Sequence, residues 1–176
     1  GPLSSLVDAL QSGNSALSVE DAEAIVARSL GLPEGTAVTQ VDPIAAAADG
    51  DPGAAALLSA AAQVQDTLIQ ITSIIDSAAG GSVTAPESVL DVLAEALLEE
   101  DPIDLTEPRV ILDLVNSSVD REGLEFSEEF TDAVSEVIAG GNQAKEDAAE
   151  SGDPLEIAEL IARIQTVVQG STTEDL

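Results

Sequence analysis

The sequence contains no histidine and no cysteine, and its only lysine is Lys145. Without an imidazole or a thiol, the chain cannot form a Ser-His or Cys-His catalytic pair, a disulfide framework or a cysteine-based metal site. Lys145 lies among Glu146, Asp147 and Glu150, and this acidic surrounding makes it a poor general base. No glycine-rich loop carries a lysine that could meet a phosphate. These absences predict that the protein is not an enzyme.

Aromatic side chains are also scarce, because the chain has two Phe and neither Trp nor Tyr. A glycosidase-like carboxylate pair needs an apolar or aromatic cleft that raises one pKa, and the sequence offers little material for one. The core must therefore be built from small aliphatic side chains. Alanine and leucine, which are strong helix formers, supply much of it, and this composition favours an all-α fold.

Methionine is absent as well, and the chain begins with Gly1-Pro2. This pair is typical of a scar left by protease cleavage of an expressed protein, so we expect residues 1–2 to be foreign. We expect residues 3–170 to form one helical bundle domain of a larger protein and residues 171–176 to be a polar tail or linker.

Positive charge is scarce too: the chain has five basic residues and 34 acidic ones, for a formal net charge of −29. Such a surface repels phosphate backbones, which predicts that the protein binds no nucleic acid. No uncharged apolar run approaches about 18 residues, so we expect no membrane insertion. Salt would screen the repulsion between the acidic side chains. The acidic composition is therefore compatible with seawater, with a calcium-rich extracellular medium and with the cytoplasm of a halophile.

Hydrophobic periodicity predicts a single-domain bundle of about seven or eight helices. The expected helices cover residues 3–11, 19–30, 44–48, 52–79, 86–99, 108–118, 128–150 and 154–169, and residues 33–41 are expected to be irregular. Asp-Pro pairs mark four expected helix starts, because Asp caps free N–H groups and Pro suits the first helical position. The pairs are Asp42-Pro43, Asp51-Pro52, Asp101-Pro102 and Asp153-Pro154, and Thr106 is expected to cap the following helix.

The helix predicted for residues 52–79 is the most diagnostic element. Its apolar residues recur at alternating spacings of four and three and form one stripe: Leu57, Ala61, Val64, Leu68, Ile71, Ile75 and Ala78. Leu58, Ala62, Ile69 and Ile74 are expected to widen the buried face. We expect this helix, about 40 Å long, to be the central post of the bundle. A coiled-coil dimer seam is the alternative.

The helix predicted for residues 128–150 contains a pair of glycines, Gly140-Gly141, which is typical of a helix end. The apolar phase nevertheless continues across the pair, since a step of seven residues leads from Val137 to Ala144. The pattern favours one helix with a soft or closely packed spot at the glycines, and two helices broken at Gly141 are the alternative.

One short stretch has the spacing of a calcium loop. Counted from Ser118 as position one, oxygen-bearing residues fall at positions one, three, five and twelve, and a glycine falls at position six. The candidate calcium ligands are Ser118, Asp120, Glu122 and Glu129, with Gly123 at the turn. In the alternative interpretation this is an ordinary helix-helix connection, in which Ser127 caps the next helix and Phe126 packs against Phe130. Apart from calcium, we expect no cofactor and no catalytic residue.

Four stretches carry a resemblance to a known class of module: LSSLVDAL, VEDAEAIVARSLGLP, VTQVDPIAAAADGDPGAAALLSAAAQVQDTLIQI and GDPLEIAELIARIQTVVQG. They resemble the alanine-rich helical module of very large secreted or surface proteins of marine and photosynthetic bacteria. Those proteins commonly carry cadherin-like, immunoglobulin-like or hemolysin-type calcium-binding repeats beside the module. The resemblance implies a helical bundle in an extracellular, adhesin-like context and implies no ligand.

Together these patterns predict a non-catalytic structural or interaction module of a large exported bacterial protein, located outside the cell or at its surface. Its expected partners are neighbouring domains of the same protein and a protein or a glycan. We expect the isolated domain to be monomeric. The alternative is a helical module that binds a ligand or peptide in an apolar groove and is modulated by calcium.

Overall fold

The computed structural model describes residues 1–33, 35–39, 50–80, 86–99 and 102–162. Within these ranges the chain forms seven helical segments and no strand, and it folds as one compact helical domain. The segments are α1 (Pro2–Gly13), α2 (Val19–Ser29), α3 (Pro52–Ala78), α4 (Pro86–Glu99), α5 (Pro108–Arg121), α6 (Glu128–Ser151) and α7 (residues 154–162). The predicted all-α bundle is therefore confirmed. The predicted helix at 44–48 and the end of the last helix, 163–169, lie outside the described residues.

Helix α3 is the central post, as its apolar stripe predicts, and it contacts α1, α4, α5 and α6. Its first half is buried on two sides, because Leu58 and its neighbouring alanines pack against Ile157 and Leu160 of α7. Its second half packs on one side only. The expectation that Ile69 faces inward is wrong: this side chain is 42% exposed, since it lies about 140° around the helix from buried Val64.

The buried hydrophobic residues of the core are aliphatic. Alanines of α3 let the neighbouring helices approach closely, while leucine, isoleucine and valine fill the larger spaces. The largest fully buried side chains include Leu6, Leu10, Leu58, Ile71, Ile75, Leu93, Leu97, Ile111 and Ile138. None of the helices in the described ranges is long and apolar enough to cross a membrane.

Two of the four Asp-Pro pairs cap helices as predicted. Asp51 accepts hydrogen bonds from the backbone N–H groups of the first turn of α3, and Asp153 accepts one from Leu155 N–H at 2.9 Å. The prediction for Asp101-Pro102 is wrong, because residues 102–107 are not helical. Asp42-Pro43 lies outside the described residues.

Thr106 does not cap α5, contrary to expectation. Its backbone N–H and its hydroxyl both donate to Asp104 Oδ1, at 2.9 and 2.6 Å. Thr106 lies one residue before the helix, since Glu107 takes the N-cap position, without a side-chain bond. The segment before α5 is therefore an ordered turn held by Asp104.

Helix α6 continues through Gly140-Gly141 without a break, which confirms the prediction of one helix. A Cβ atom at Gly140 would have no atom within 4 Å, and one at Gly141 would meet only Lys145 Nζ, at 3.7 Å. Close packing therefore does not require either glycine.

Replacing Gly140 by alanine should stabilise the protein, because glycine in a helix interior costs about 1 kcal/mol relative to alanine. We expect Gly140→Ala to raise the free energy of unfolding by about 0.5 to 1 kcal/mol in urea titrations followed by far-UV circular dichroism. Gly141→Ala is the matched variant, with a gain of the same sign. A loss of stability in both would show that α6 needs a flexible point here.

Candidate functional site

The four candidate calcium ligands lie at the connection between α5 and α6, in different local structures. Ser118 is inside α5, only 1% exposed, and its hydroxyl donates to the carbonyl oxygen one turn earlier at 2.7 Å. Asp120 is in the last turn of α5, Glu122 accepts a hydrogen bond from Ser88 Oγ at 2.8 Å, and Glu129 is exposed in the first turn of α6. Nowhere in the described ranges do three or more Asp or Glu side chains form a group that could hold a metal ion.

Helix α5 ends three residues later than predicted, at Arg121 instead of residue 118. Gly123 adopts φ 69°, its N–H bonds to the Asp120 carbonyl, and Leu124 N–H bonds to the Val119 carbonyl, both at 3.1 Å. This pattern is a Schellman motif, which satisfies the last carbonyls of a helix and needs a residue in the left-handed region. The glycine that fits the sixth position of a calcium loop thus ends a helix.

Helix α6 begins as the alternative interpretation predicts. Ser127 is its N-cap and accepts a hydrogen bond from Phe130 N–H at 3.2 Å, and Glu128 and Glu129 occupy the first turn, where the helix dipole favours acids. The rings of Phe126 and Phe130 lie 5.1 Å apart. These contacts form an ordinary helix-helix connection.

The interface between α3 and α6 contains a buried polar group that the sequence did not reveal. Asn142 is fully buried, and its Nδ2 donates to Thr67 Oγ1 of α3 at 3.0 Å and to the Leu105 carbonyl at 2.8 Å. Its Oδ1 has no hydrogen-bond partner in the part of the chain that the structure describes. Asn142 therefore joins two helices and the segment before α5.

An ion pair lies beside this contact. Lys145 is 3% exposed and its Nζ lies 2.6 Å from Asp66 Oδ2, while it also donates to the Gly141 carbonyl at 3.2 Å. We call Asp66, Thr67, Asn142 and Lys145 the polar seam. Burial of a charge is costly unless it is paired, so this contact restrains how α3 and α6 can pack.

Next to the polar seam lies a cavity of about 360 Å³ between α3, α6 and two non-helical segments, residues 30–32 and 102–105. Its polar lining consists of Ser59, Gln63, Asp104, Glu146 and Glu150, and the rest of its wall is largely aliphatic. It combines an apolar wall, a buried amide and three carboxylates, which is the general character of a small-ligand site.

Gln63 is the least exposed large polar side chain on this wall. It is 9% exposed and its Nε2 donates to Ser59 Oγ, itself 3% exposed, at 2.9 Å. The cavity wall therefore carries a largely buried amide whose Nε2 is bonded within α3.

Glu146 is half-buried at the edge of the cavity. Burial raises the pKa of its carboxyl above the ordinary value of 4.5, and the negative charges of Asp104, Glu150 and Asp147 raise it further. Each of these effects disfavours the charged form. The lining of the cavity contains no basic side chain that would offset these negative charges.

The non-helical wall is held by backbone contacts. Ile103 N–H donates to the Ser29 carbonyl at 2.7 Å, and Asn142 holds the Leu105 carbonyl from the other side. Residues 102–105 are therefore fixed between α2 and α6.

The sequence contains one signal for this site. Ser59, Gln63 and Thr67 recur at a spacing of four within the most apolar helix, which places them on one face. The partner of Thr67, Asn142, and the other polar residues of the cavity, Asp104 and Glu146, could not be inferred, because they come from distant parts of the chain.

Comparison with known proteins adds no assignment: the chain matches no protein-family model, no curated protein and no solved structure.

The ion pair of the polar seam can be tested by substitution. Lys145→Met should lower the free energy of unfolding by about 2 to 3 kcal/mol, because it leaves Asp66 without its counter-ion in a poorly hydrated place. The double variant Lys145→Met/Asp66→Leu should lose less than Lys145→Met alone. The loss is measured by urea unfolding. If Lys145→Met lowers the free energy of unfolding by less than about 0.5 kcal/mol, the pair behaves like an ordinary surface ion pair, which would contradict its role in fixing α3 against α6.

Glu146 should make stability depend on pH. Its pKa is higher in the folded chain, so its contribution is most favourable below 4.5 and is lost as the pH rises through the folded value. We expect Glu146→Gln to raise the melting temperature at pH 7 and to make little difference at pH 4. Glu136→Gln, at an exposed position of α6, is the control, and an equal pH-dependent gain there would contradict the assignment.

Proposed function

We propose that this domain is a non-catalytic structural or interaction module of a large, adhesin-like protein at the surface of a bacterial cell. Its neighbours would be other domains of that protein, and its partner a protein or glycan outside the cell. The resemblance of its helical stretches to modules of such proteins motivates the location.

The observation that carries the proposal is the distribution of charged side chains. Its only lysine, Lys145, is buried against Asp66, and Arg121 is paired with Glu95 at 2.7 Å. With 34 acidic residues against five basic ones, carboxylates dominate the exterior. Such a surface stays soluble in a salt-rich medium and resists nonspecific association.

The distribution of exposed apolar side chains also supports a structural role. Among the residues that the structure describes, the large exposed ones lie on five different helices: Val19 on α2, Ile69 on α3, Leu98 on α4, Phe130 and Val137 on α6, and Leu155 on α7. Apolar residues that are exposed singly are normal for a soluble domain. This pattern fits a spacer between domains better than it fits a peptide-binding groove.

The alternative is a ligand-binding module modulated by calcium through Asp120, Glu122 and Glu129. It would require these carboxylates to come together when calcium binds, with a change at the end of α5. A rise in the melting temperature of chelator-treated protein on adding calcium, lost in Asp120→Asn/Glu122→Gln, would favour this alternative.

The location can be tested on cells of the source organism. An antibody against the folded domain should label intact cells, and brief treatment of those cells with a protease should remove the label. An antibody against a cytoplasmic protein is the control. Labelling only after the cells are broken open would overturn the proposal.

A further inference from the structure

One solvent-exposed face of α6 is apolar, although the buried side of this helix is largely polar. Four of the six side chains that α6 buries are polar or charged, and only Ile138 and Ala139 are hydrophobic. The residues on the apolar exposed face recur at spacings of three and four and form one line along the helix. We call this line the outer face: Phe130, Ala133, Val137, Gly140 and Ala144. A helix that packs only within its own bundle has the opposite arrangement, so the fold of this domain does not account for the outer face.

The outer face has the shape of a surface on which a second helix can pack. Its large side chains, Val137 and Phe130, are 68% and 42% exposed. A Cβ atom at Gly140 would meet no atom within 4 Å, so packing among the described residues does not require a glycine there. A glycine at this place lets the backbone of a second helix approach closely. The face is convex and about 21 Å long, about four helical turns, so it suits a helix and not a peptide held in a groove.

The charges beside the outer face select the kind of helix that can pack there. Glu129 and Glu136 are exposed along one side of it, seven residues apart. The only basic residue of α6, Lys145, is buried against Asp66, so no positive charge on α6 offsets these carboxylates at the surface. In packed helix pairs, the charges beside the apolar contact favour a partner with opposite charges. The carboxylates therefore favour a helix that has Lys or Arg beside its own apolar residues.

A second copy of this domain does not fit the outer face. It would bring another pair of carboxylates to the contact, and each copy has a formal net charge of −29. Like charges brought together in an interface oppose binding. A glycan is disfavoured as well, because no side chain of the outer face can form a hydrogen bond with a hydroxyl group. The chemistry of the surface thus favours a basic protein segment.

We propose that the outer face of α6 binds a basic amphipathic helix of a partner protein. The apolar residues of that helix lie against Phe130 and Val137, and its backbone lies close to Gly140. Its Lys or Arg side chains lie beside Glu129 and Glu136. The inference rests on the proposed function, because it names the kind of partner that the interaction module binds. Its test uses purified components, so its failure would leave the antibody labelling of intact cells, which tests the location, unaffected.

The test is isothermal titration calorimetry at about 0.15 M ionic strength, where nonspecific attraction to the acidic surface is screened. The probe is a synthetic peptide of about 18 residues, five helical turns, with Leu in one stripe and Lys beside the stripe. One control peptide has Glu in place of Lys. A second has the same composition as the probe in an order without an apolar stripe. Saturable binding of the probe, which neither control reproduces, is the expected result.

A substitution at Gly140 separates partner binding from the stability of the domain. Gly140→Gln places a bulky side chain in the middle of the outer face without a clash inside the domain. We expect it to weaken binding of the probe at least about tenfold, because the second helix can no longer approach closely. The free energy of unfolding should not fall, because a helix interior favours Gln over Gly.

Two matched double variants test the role of the carboxylates. Glu129→Gln/Glu136→Gln removes the charges beside the outer face, and Asp113→Asn/Asp120→Asn removes an exposed pair with the same spacing on α5. We expect the first to weaken binding of the probe about threefold or more, the effect of losing exposed ion pairs, and the second to leave it unchanged.

Four results would each overturn the proposal. They are that the probe does not bind saturably, that either control peptide binds as tightly as the probe, that Gly140→Gln retains full affinity, and that the two double variants lose affinity equally. Size-exclusion chromatography adds a fifth: a dimer of the isolated domain that Gly140→Gln abolishes would assign the outer face to a second copy.

Discussion

The packing of α3 against α6 is fixed by buried polar groups, and the other features of the fold depend on it. Asp66 and Thr67 are adjacent on α3, and their partners Lys145 and Asn142 are three residues apart on α6. A shift of either helix by one turn would break both contacts and leave a charge and an amide unpaired inside the protein. Aliphatic side chains alone would tolerate such a shift more easily.

The polar seam also determines the shape of the neighbouring cavity. Gln63 precedes Thr67 by one turn of α3, and Glu146 follows Asn142 by one turn of α6. The same asparagine holds the Leu105 carbonyl, so the third wall is positioned by the contact that positions the other two. The shape of the cavity therefore depends on the polar seam, although the cavity is lined by other side chains.

Local sequence signals predicted most of the helices. They did not predict the contacts between residues that are distant in the sequence. Asp51 and Ser127 cap α3 and α6 as their sequence context indicates. One helix through Gly140-Gly141 was also predicted correctly, although Val137 and Ala144, from which it was inferred, are exposed. The Asn142–Thr67 contact spans 75 residues and requires the relative rotation of two helices, which no local pattern encodes. The spacing from Ser118 to Glu129 matches that of a calcium loop, but the structure places Ser118 inside α5, where its hydroxyl donates to the Leu114 carbonyl.

The burial of Lys145 makes the protein almost inert to reagents that modify amines. Since this is the only lysine, acylation of the folded chain is restricted to the α-amino group, and coupling to beads or dyes through side-chain amines should fail. The same side chain becomes reactive whenever α6 separates from α3. Acylation of Lys145 therefore reports the opening of the helix pair in a protein that has no tryptophan or tyrosine to report it by fluorescence.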